Sequence, residues 1–284
     1  MLASRENRIA LQIKSKLSWL AYSNILVGLS TMSSLYTAFV FMNIDANWTS
    51  LLMIFLVTFS IYSMDRNSET KLDKINHPER QNFISARRKY FLYISIASYA
   101  TAMIMASTTE LRILLLLPLL FFTAYRYAGL KKIFLAKNIT VAVAWATTIT
   151  FLAAASAPLI PLAILGAFFS FFFLRTFAAA IAYDIKDIKG DSLFAITTLP
   201  VKIGVKKTKK VLYIMNVVTS CLAVYCALVF SSISILFIGM VAGYSILYVH
   251  RMGKTDIKFI SDYLIHGEFI LMGFLAYLGS MLSG

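Results

Sequence analysis

The sequence predicts an all-α protein that crosses a membrane several times as one helical bundle. Of its 284 residues, 59% are hydrophobic and only 14% are charged, a balance that suits a chain embedded in a bilayer. The apolar residues form runs of roughly 18 to 25 residues, the length that spans the hydrocarbon core. These runs are continuous rather than alternating, which favours helices over strands. We therefore expect a single membrane-embedded domain over residues 1–284.

Nine apolar runs account for the predicted spans, which form a polytopic transmembrane helical bundle of nine helices. Short breaks near 44–46, 108–110, 158 and 230 separate the runs on one side of the membrane. The breaks on the other side are longer and polar, and those after the second and sixth runs are predicted to be two functional cap loops. The nine runs lie at about 17–43, 47–64, 90–107, 111–127, 139–157, 159–182, 211–230, 231–249 and 265–283.

The basic residues sort onto one side of this bundle. They cluster before the first run and after the second, fourth, sixth and eighth runs, whereas Arg112 lies near the opposite face and Arg175 lies inside a span. Under the positive-inside rule, the N-terminus and both cap loops are cytoplasmic and the C-terminus is outside. Membrane topology therefore explains the net charge of +14, and nucleic acid is not an expected partner.

Two acidic triads lie at the inner ends of the second and sixth helices. Their carboxylates are spaced i, i+4, i+8 and i, i+3, i+7, so each triad occupies one helical stripe about 60° to 80° wide. Like charges aligned in this way repel each other, and a cation between them would relieve the repulsion. Mg²⁺ suits such oxygens, because it takes one or two protein carboxylates and completes its shell with water and phosphate. Solvated loop charges are the alternative. The triads are Asp65, Glu69 and Asp73, and Asp184, Asp187 and Asp191.

The second triad resembles the second aspartate-rich motif of the UbiA-type intramembrane prenyltransferase superfamily. Residues 184–191 (DIKDIKGD) resemble the family's D-x-x-D-x-x-G-D segment. Residues 198–204 (TLPVKIG) resemble the T-L-P-V-x-x-G that follows it in the family.

The first triad resembles the family's other aspartate-rich motif less closely. This chain has Asp65 and Glu69 where the family usually begins N-D-x-x-D-x-x-x-D, although residues 73–80 (DKINHPER) resemble the usual D-x-I-N-x-P-x-R continuation. Residues 127–132 (YAGLKK), followed by Asn138, resemble the family's Y-x-x-x-K-R loop. The resemblance spans nearly the whole chain.

The resemblance implies Mg²⁺-dependent transfer of a prenyl group from a prenyl diphosphate to a lipophilic or aromatic acceptor within the membrane. The six triad carboxylates are the predicted catalytic and metal-binding residues. Basic side chains and the metal would stabilise the charge that develops on the diphosphate as the allylic C–O bond breaks. The predicted substrate-binding residues are Lys131, Lys132, Lys186, Lys189, Arg66, Arg80, Tyr127, Asn24 and Arg175.

Two of these substrate-binding predictions concern polar groups inside spans, which usually face the interior of a bundle. Asn24 lies in the first span, and Arg175 lies nine residues before Asp184, about 13 Å along the sixth helix. Arg175 either lines the pocket below the metal or makes hydrogen bonds between helices.

Two other classes of membrane protein share parts of this pattern. A transporter would place its polar binding groups and broken helices near the midplane, whereas the ionisable groups here gather at one face. A non-catalytic lipid-binding protein would keep the same topology, and the departures in the first motif leave that alternative open. Membrane lipid is an expected partner in every case, and no fixed motif identifies the acceptor.

Overall fold

The computed structural model describes residues 19–67, 75–109, 113–118, 120, 133–157, 159–253 and 257–283. Secondary structure within these ranges is helical, which confirms the all-α prediction. A short turn at Ile257–Phe259 and a π-helical turn at Ile260–Leu264 lead into the last helix. The helices are α1 (Ile25–Phe41), α2 (Trp48–Asn67), α3 (Pro78–Ser85), α4 (Arg88–Ser107), α5 (Ala136–Ala154), α6 (Leu162–Leu193), α7 (Leu199–Val229), α8 (Ile233–Gly239), α9 (Val241–Arg251) and α10 (Ile265–Ser283).

Seven helices in the described ranges are long and apolar enough to cross a membrane. They are α2, α4, α5, α6, α7, the nearly continuous α8 and α9, and α10 with the turns before it. Helix α1 is apolar and shorter, at 17 residues. The fourth predicted span, 111–127, lies mostly outside the described residues, with 113–118 helical. The count of nine helices therefore stays a prediction.

The structure corrects the predicted cap loop after the sixth span. Helix α6 has 32 residues and continues through the acidic triad to Leu193, and α7 begins at Leu199 with Pro200 in its first turn. A helix of this length is about 48 Å long, well beyond the roughly 30 Å of the hydrocarbon core. The fall in hydropathy near residue 182 shows where the helix leaves the lipid, whereas the helix itself continues to Leu193. The polar turns of α6 therefore have the composition of a loop. Helix α7 is itself interrupted at Gly204, where φ is 78°.

Helix α1 lies at the centre of the bundle. It packs against α2, α5 and α10, while α6 packs between α5 and α7, and α8 packs against α10. The main apolar core lies between these helices and contains an aromatic group of Phe41, Phe168, Phe171 and Phe172, each at most 3% exposed. This core fills the bundle beyond the apolar end of the space between α1, α2, α5, α6 and α10, and charged helix ends lie at the opposite end of that space.

Candidate functional site

A cavity of about 370 Å³ lies between α1, α2, α5, α6 and α10. Charged and polar side chains line the end near the C-terminus of α6, including Asp184, Asp187 and Asp191. Apolar side chains line the other end, including Trp145 and Phe172. The volume is typical of a small-molecule site, and the lining suits a ligand with a charged head and an apolar body.

Asp184 is held by the first turn of α5. Its side chain is 1% exposed, and it pairs with the Lys137 ammonium at Oδ1 and accepts a hydrogen bond from Asn138 Nδ2 at Oδ2, 2.8 Å away. The N-terminus of a helix carries partial positive charge, so α5 adds to the stabilisation of this carboxylate. Asp184 therefore has its charge balanced by protein groups.

Asp187 and Asp191 lie one turn apart on the cavity side of α6. His77 Nε2 is 3.2 Å from Asp187 Oδ1, and burial lowers the pKa of this imidazole below its usual value, so the ring is neutral at neutral pH. His77 is the near polar neighbour of Asp187 Oδ1, and neither this oxygen nor Asp191 Oδ2 receives a well-aligned hydrogen bond from the described residues. Asp191 is buried and Asp187 is partly buried, and two neighbouring carboxylates on one face repel each other unless a cation joins them.

The segment after the first motif is fastened to α6 at Gly190. The Gly190 backbone N–H donates to Asn76 Oδ1 over 3.1 Å. A Cβ atom at position 190 would lie 2.2 Å from that oxygen, so only glycine permits the contact. The contact fixes His77 and Arg80, which both line the cavity, against the acidic helix.

Basic and polar groups from α2 and from the chain before α1 also line the cavity. The Arg66 guanidinium at the end of α2 donates to the carbonyl oxygens of Ala21 and Tyr22 at 3.1 and 3.2 Å. The Tyr22 hydroxyl donates to Glu79 Oε2 at 3.2 Å, and burial raises the pKa of Tyr22, which keeps the phenol a neutral donor. These contacts hold the chain before α1 over the polar end of the cavity beside Arg80.

The turn before α10 adds further polar groups to this wall. Lys186 Nζ is 3.4 Å from Oδ1 of Asp262, which lies in the π-helical turn. The same ammonium lies over the Tyr183 ring. The Tyr183 hydroxyl is 3.0 Å from a ring nitrogen of His266. π-Helical turns occur often at functional sites, and this one brings Asp262 and His266 to the cavity.

Comparison with known proteins agrees with this architecture. Residues 17–258 match the UbiA prenyltransferase family. The chain belongs to this family. The predicted family and the predicted enzyme class, a prenyltransferase, are thereby confirmed. Together with its apolar helices, membership also shows an integral multi-pass membrane protein.

Individual relatives span most of the chain. A digeranylgeranylglyceryl phosphate synthase from Methanosphaera stadtmanae is 28% identical over 240 residues, which cover 80% of this chain and 84% of the relative. The structure of a UbiA homologue from Aeropyrum pernix superposes with a TM-score of 0.67 at 14% identity, covering 91% of this chain and 98% of that one. A homologue from Archaeoglobus fulgidus bound to DMAPP and Mg²⁺ superposes with a TM-score of 0.64 at 17% identity, with the same coverage. At these identities the two structures establish the fold.

The acidic end of this UbiA-family cavity fits a divalent cation. Asp187 and Asp191 lie in the last two turns of α6, where the helix dipole disfavours anions, and both keep a buried oxygen that the described residues leave without a hydrogen bond. No three His, Cys, Asp or Glu side chains converge as a preformed metal cluster within the described part of the chain. That arrangement suits Mg²⁺, which uses one or two carboxylates and takes its other ligands from water and phosphate.

The structure brings most of the described sequence-predicted residues to one end of the cavity. Lys189 is the exception on α6, because it is exposed and directed away from the cavity. Five predicted residues lie outside the described ranges, namely Glu69, Asp73, Tyr127, Lys131 and Lys132. Those at the cavity are Asp65, Arg66, Arg80, Asp184, Lys186, Asp187 and Asp191.

The two polar residues predicted to bind substrate from within spans are placed elsewhere. Asn24 is 1% exposed and donates to Ser63 Oγ at 2.9 Å, which joins the start of α1 to α2. Arg175 is fully buried, does not line the cavity and pairs with Glu268 of α10. For Arg175, hydrogen bonding between helices was the correct alternative.

Sequence reasoning did not predict several polar side chains at the cavity, among them Lys137, Asn138, His77 and His266. Lys137 counts only as one of the basic residues expected on the cytoplasmic side. Asn138 is noted only as a residue that follows the YAGLKK segment. His77 lay inside the motif continuation, one residue from Asn76. His266 had no local signal, because only the packing of α10 against α1 brings it to the cavity.

Proposed function

We propose that this chain catalyses Mg²⁺-dependent transfer of a prenyl group from a prenyl diphosphate to a lipophilic acceptor. One observation carries the proposal: a single cavity joins bare carboxylate oxygens and basic side chains at one end to an apolar body at the other. A prenyl diphosphate has the same two-part chemistry. The proposed metal-binding residues are those predicted from the sequence, Asp65, Glu69, Asp73, Asp184, Asp187 and Asp191.

The residues at the polar end would act on the leaving group. When bound, Mg²⁺ neutralises diphosphate oxygens as a Lewis acid. Lys186, Arg66 and Arg80 line the same end and supply positive charge as the allylic C–O bond breaks and its electron pair passes to the diphosphate. The acceptor's nucleophile then bonds to the allylic carbon and loses a proton.

The apolar walls would protect the allylic cation from water. Tyr62 and Trp145 both line the cavity and stack with ring centroids 6.4 Å apart. Their faces can stabilise a cation in a site that excludes solvent. The body of the cavity therefore serves both the tail and the reactive carbon.

A glyceryl phosphate lipid is the acceptor we propose to test first. The relative from Methanosphaera stadtmanae is a digeranylgeranylglyceryl phosphate synthase. Arg66, held by the Ala21 and Tyr22 carbonyls at the same cavity, offers a cation for a second anionic group. Product formation with a glyceryl phosphate ether should exceed that with hydroxybenzoate in lipid nanodiscs. Preference for the aromatic acid would refute the acceptor assignment and leave prenyl transfer intact.

We also propose that residues 1–284 form one membrane-embedded domain whose acidic end faces the cytoplasm. Four exposed lysines on the first turns of α7, beyond the α6 acidic triad, support this orientation, namely Lys202, Lys206, Lys207 and Lys210. With both native cysteines replaced, single cysteines at these positions should react with an impermeant thiol reagent from the cytoplasmic side only. Labelling from outside would reverse the topology.

Neither a transporter nor a non-catalytic lipid-binding protein explains the cavity as well as a prenyltransferase does. A transporter would use intramembrane charges at its binding site, whereas Arg175 and Glu268 pair with each other and do not line the cavity. A non-catalytic lipid-binding protein has no need for Asp187 and Asp191 with bare oxygens beside Lys186.

The deciding experiment measures diphosphate release in lipid nanodiscs with Mg²⁺. Asp187→Asn should lower kcat/KM by about 10²-fold or more, because it removes charge that holds the metal on the leaving group. Lys189→Gln is the matched control, since it changes an exposed charge on the same helix, and we expect activity close to that of the wild type. Absence of diphosphate release from every prenyl diphosphate tested would overturn the proposal.

A further inference from the structure

His266 lines the cavity from α10, outside both acidic motifs. Along this part of the chain the lining residues run from Asp262 through His266 to Phe269, so the wall changes from charged to apolar within about two helical turns. The imidazole therefore lies where the polar end of the cavity meets its apolar body.

Helix α6 places the same boundary beside His266. Tyr183 lies four residues before Asp187, about 6 Å along the helix toward the apolar end, and its hydroxyl is 3.0 Å from both ring nitrogens of His266. The next lining residues of α6 are Ala180 and Ala179. Under the proposed function, a diphosphate bound among the aspartates has its allylic carbon just beyond the charged groups, at the level of Tyr183 and His266.

The imidazole is positioned by neutral groups. When the Tyr183 hydroxyl accepts a hydrogen bond from the ring N–H, the other nitrogen keeps its lone pair for a ligand. The phenol is not an anion, so it does not hold the ring as an imidazolium. The backbone carbonyl of His266 accepts a hydrogen bond from Ser30 Oγ at 3.0 Å, which fixes this turn of α10 against α1. His266 is therefore a fixed neutral base at the boundary.

Three other bases on the described part of the cavity wall are engaged. Asp184 pairs with Lys137, and Asp262 pairs with Lys186. Either carboxylate would break an ion pair if it took up a proton. His77 lies at the charged end, against a proposed metal-binding carboxylate.

We propose that His266 is a catalytic base, which accepts the hydroxyl proton of a glyceryl phosphate acceptor during prenyl transfer. This inference rests on the proposed function and adds a residue to it. The allylic C–O bond breaks and its electron pair passes to the diphosphate, while the acceptor oxygen bonds to the allylic carbon. The acceptor O–H bond breaks and its proton moves to the bare nitrogen of His266. The imidazolium then passes the proton to water, and Tyr183 acts as a positioning residue for the ring.

The test uses lipid nanodiscs with Mg²⁺, a prenyl diphosphate and a glyceryl phosphate ether. His266→Gln keeps a polar side chain and removes the base, so it should lower kcat for the prenylated product by about 10²-fold. The dissociation constant of a non-hydrolysable geranyl thiolodiphosphate should stay close to that of the wild type, which also reports that the variant is folded. His250→Gln is the matched control, because His250 is exposed at the end of α9 and does not line the cavity, and it should keep the wild-type kcat.

Chemical rescue separates proton transfer from packing. In His266→Ala, added imidazole should raise product formation by about tenfold or more, whereas pyrazole, which has the same size and is a far weaker base, should not. Tyr183→Phe keeps the ring beside His266 and removes its hydroxyl. It should lower kcat by about tenfold, less than His266→Gln, because the hydroxyl orients the imidazole without receiving the proton.

The outcomes separate this inference from the proposed function. An unchanged kcat in His266→Gln would overturn the inference and leave the released diphosphate as the proton acceptor. Equal rates with imidazole and pyrazole in His266→Ala would overturn it as well, since basicity would then have no effect. If the wild type released no diphosphate from any prenyl diphosphate, the proposed function itself would be refuted.

Discussion

Removing either member of the Arg175–Glu268 ion pair should destabilise the bundle strongly. The Arg175 side chain is 0% exposed and that of Glu268 is 1% exposed, and the pair joins α6 to α10. Arg175 also donates to Asn216 of α7 and Ser245 of α9, and Glu268 accepts from the Tyr248 hydroxyl at 2.6 Å. Four helices therefore meet at one charged network inside the membrane-spanning part of the bundle.

The size of the effect follows from the burial of both charges. Arg175→Met leaves the Glu268 carboxylate without its cation, and Glu268→Leu leaves the guanidinium without its anion, each at a cost of roughly 3–5 kcal/mol. The double variant removes both charges and leaves neutral groups such as the Tyr248 hydroxyl without partners, at roughly 1–3 kcal/mol each. We therefore expect the double variant to be more stable than the sum of the two single changes by about 3 kcal/mol or more.

The assay is unfolding of the purified protein in mixed micelles by titration with SDS, followed by circular dichroism. Lys207→Met, an exposed change on α7, is the control and should shift the free energy of unfolding by less than about 0.5 kcal/mol. Additive single effects, or single effects below about 1 kcal/mol, would refute the reasoning. Because neither Arg175 nor Glu268 lines the cavity, the folded fraction of each variant should retain affinity for a geranyl diphosphate analogue.

Two further changes test the polar end of the cavity. Gly190→Ala should lower diphosphate release by about tenfold, because the added methyl group displaces Asn76. Gly243→Ala is the control and should leave the activity unchanged, because its added methyl group meets nothing within 4 Å. Full activity of Gly190→Ala would show that the Asn76 contact is dispensable. Lys137→Met should raise the dissociation constant of a prenyl diphosphate analogue by about tenfold, because Asp184 then loses its cation and repels the diphosphate. An unchanged dissociation constant would limit Lys137 to a structural role.

The sequence predicted the helical class and the stripe formed by the second triad, because both depend on local periodicity. Apolar runs report burial in lipid, and carboxylates spaced i, i+3 and i+7 share a helical face whatever packs against it. The end of α6 could not be predicted in the same way. Its last turns carry Lys186, Lys189 and three aspartates, so hydropathy falls there while the helix continues to Leu193.

Contacts between distant segments account for the remaining differences. The pairing of Lys137 with Asp184 requires α5 to pack against α6, and no local pattern distinguishes Lys137 from other lysines on the same side. The same limit applied to Arg175, since a charged residue within a span faces either a cavity or another helix. Only the position of Glu268, 93 residues further along the chain, decides between them.

The rotation of α6 connects these features. Its cavity-lining residues run from Phe172 through Thr176 to the acidic triad, and Arg175 on the same helix pairs with Glu268 outside the lining. Rotating the helix would take Arg175 away from Glu268 and leave two buried charges unpaired, so the ion pair opposes rotation. The orientation of the carboxylates toward the cavity is therefore set by a helix whose rotation is fixed elsewhere in the bundle.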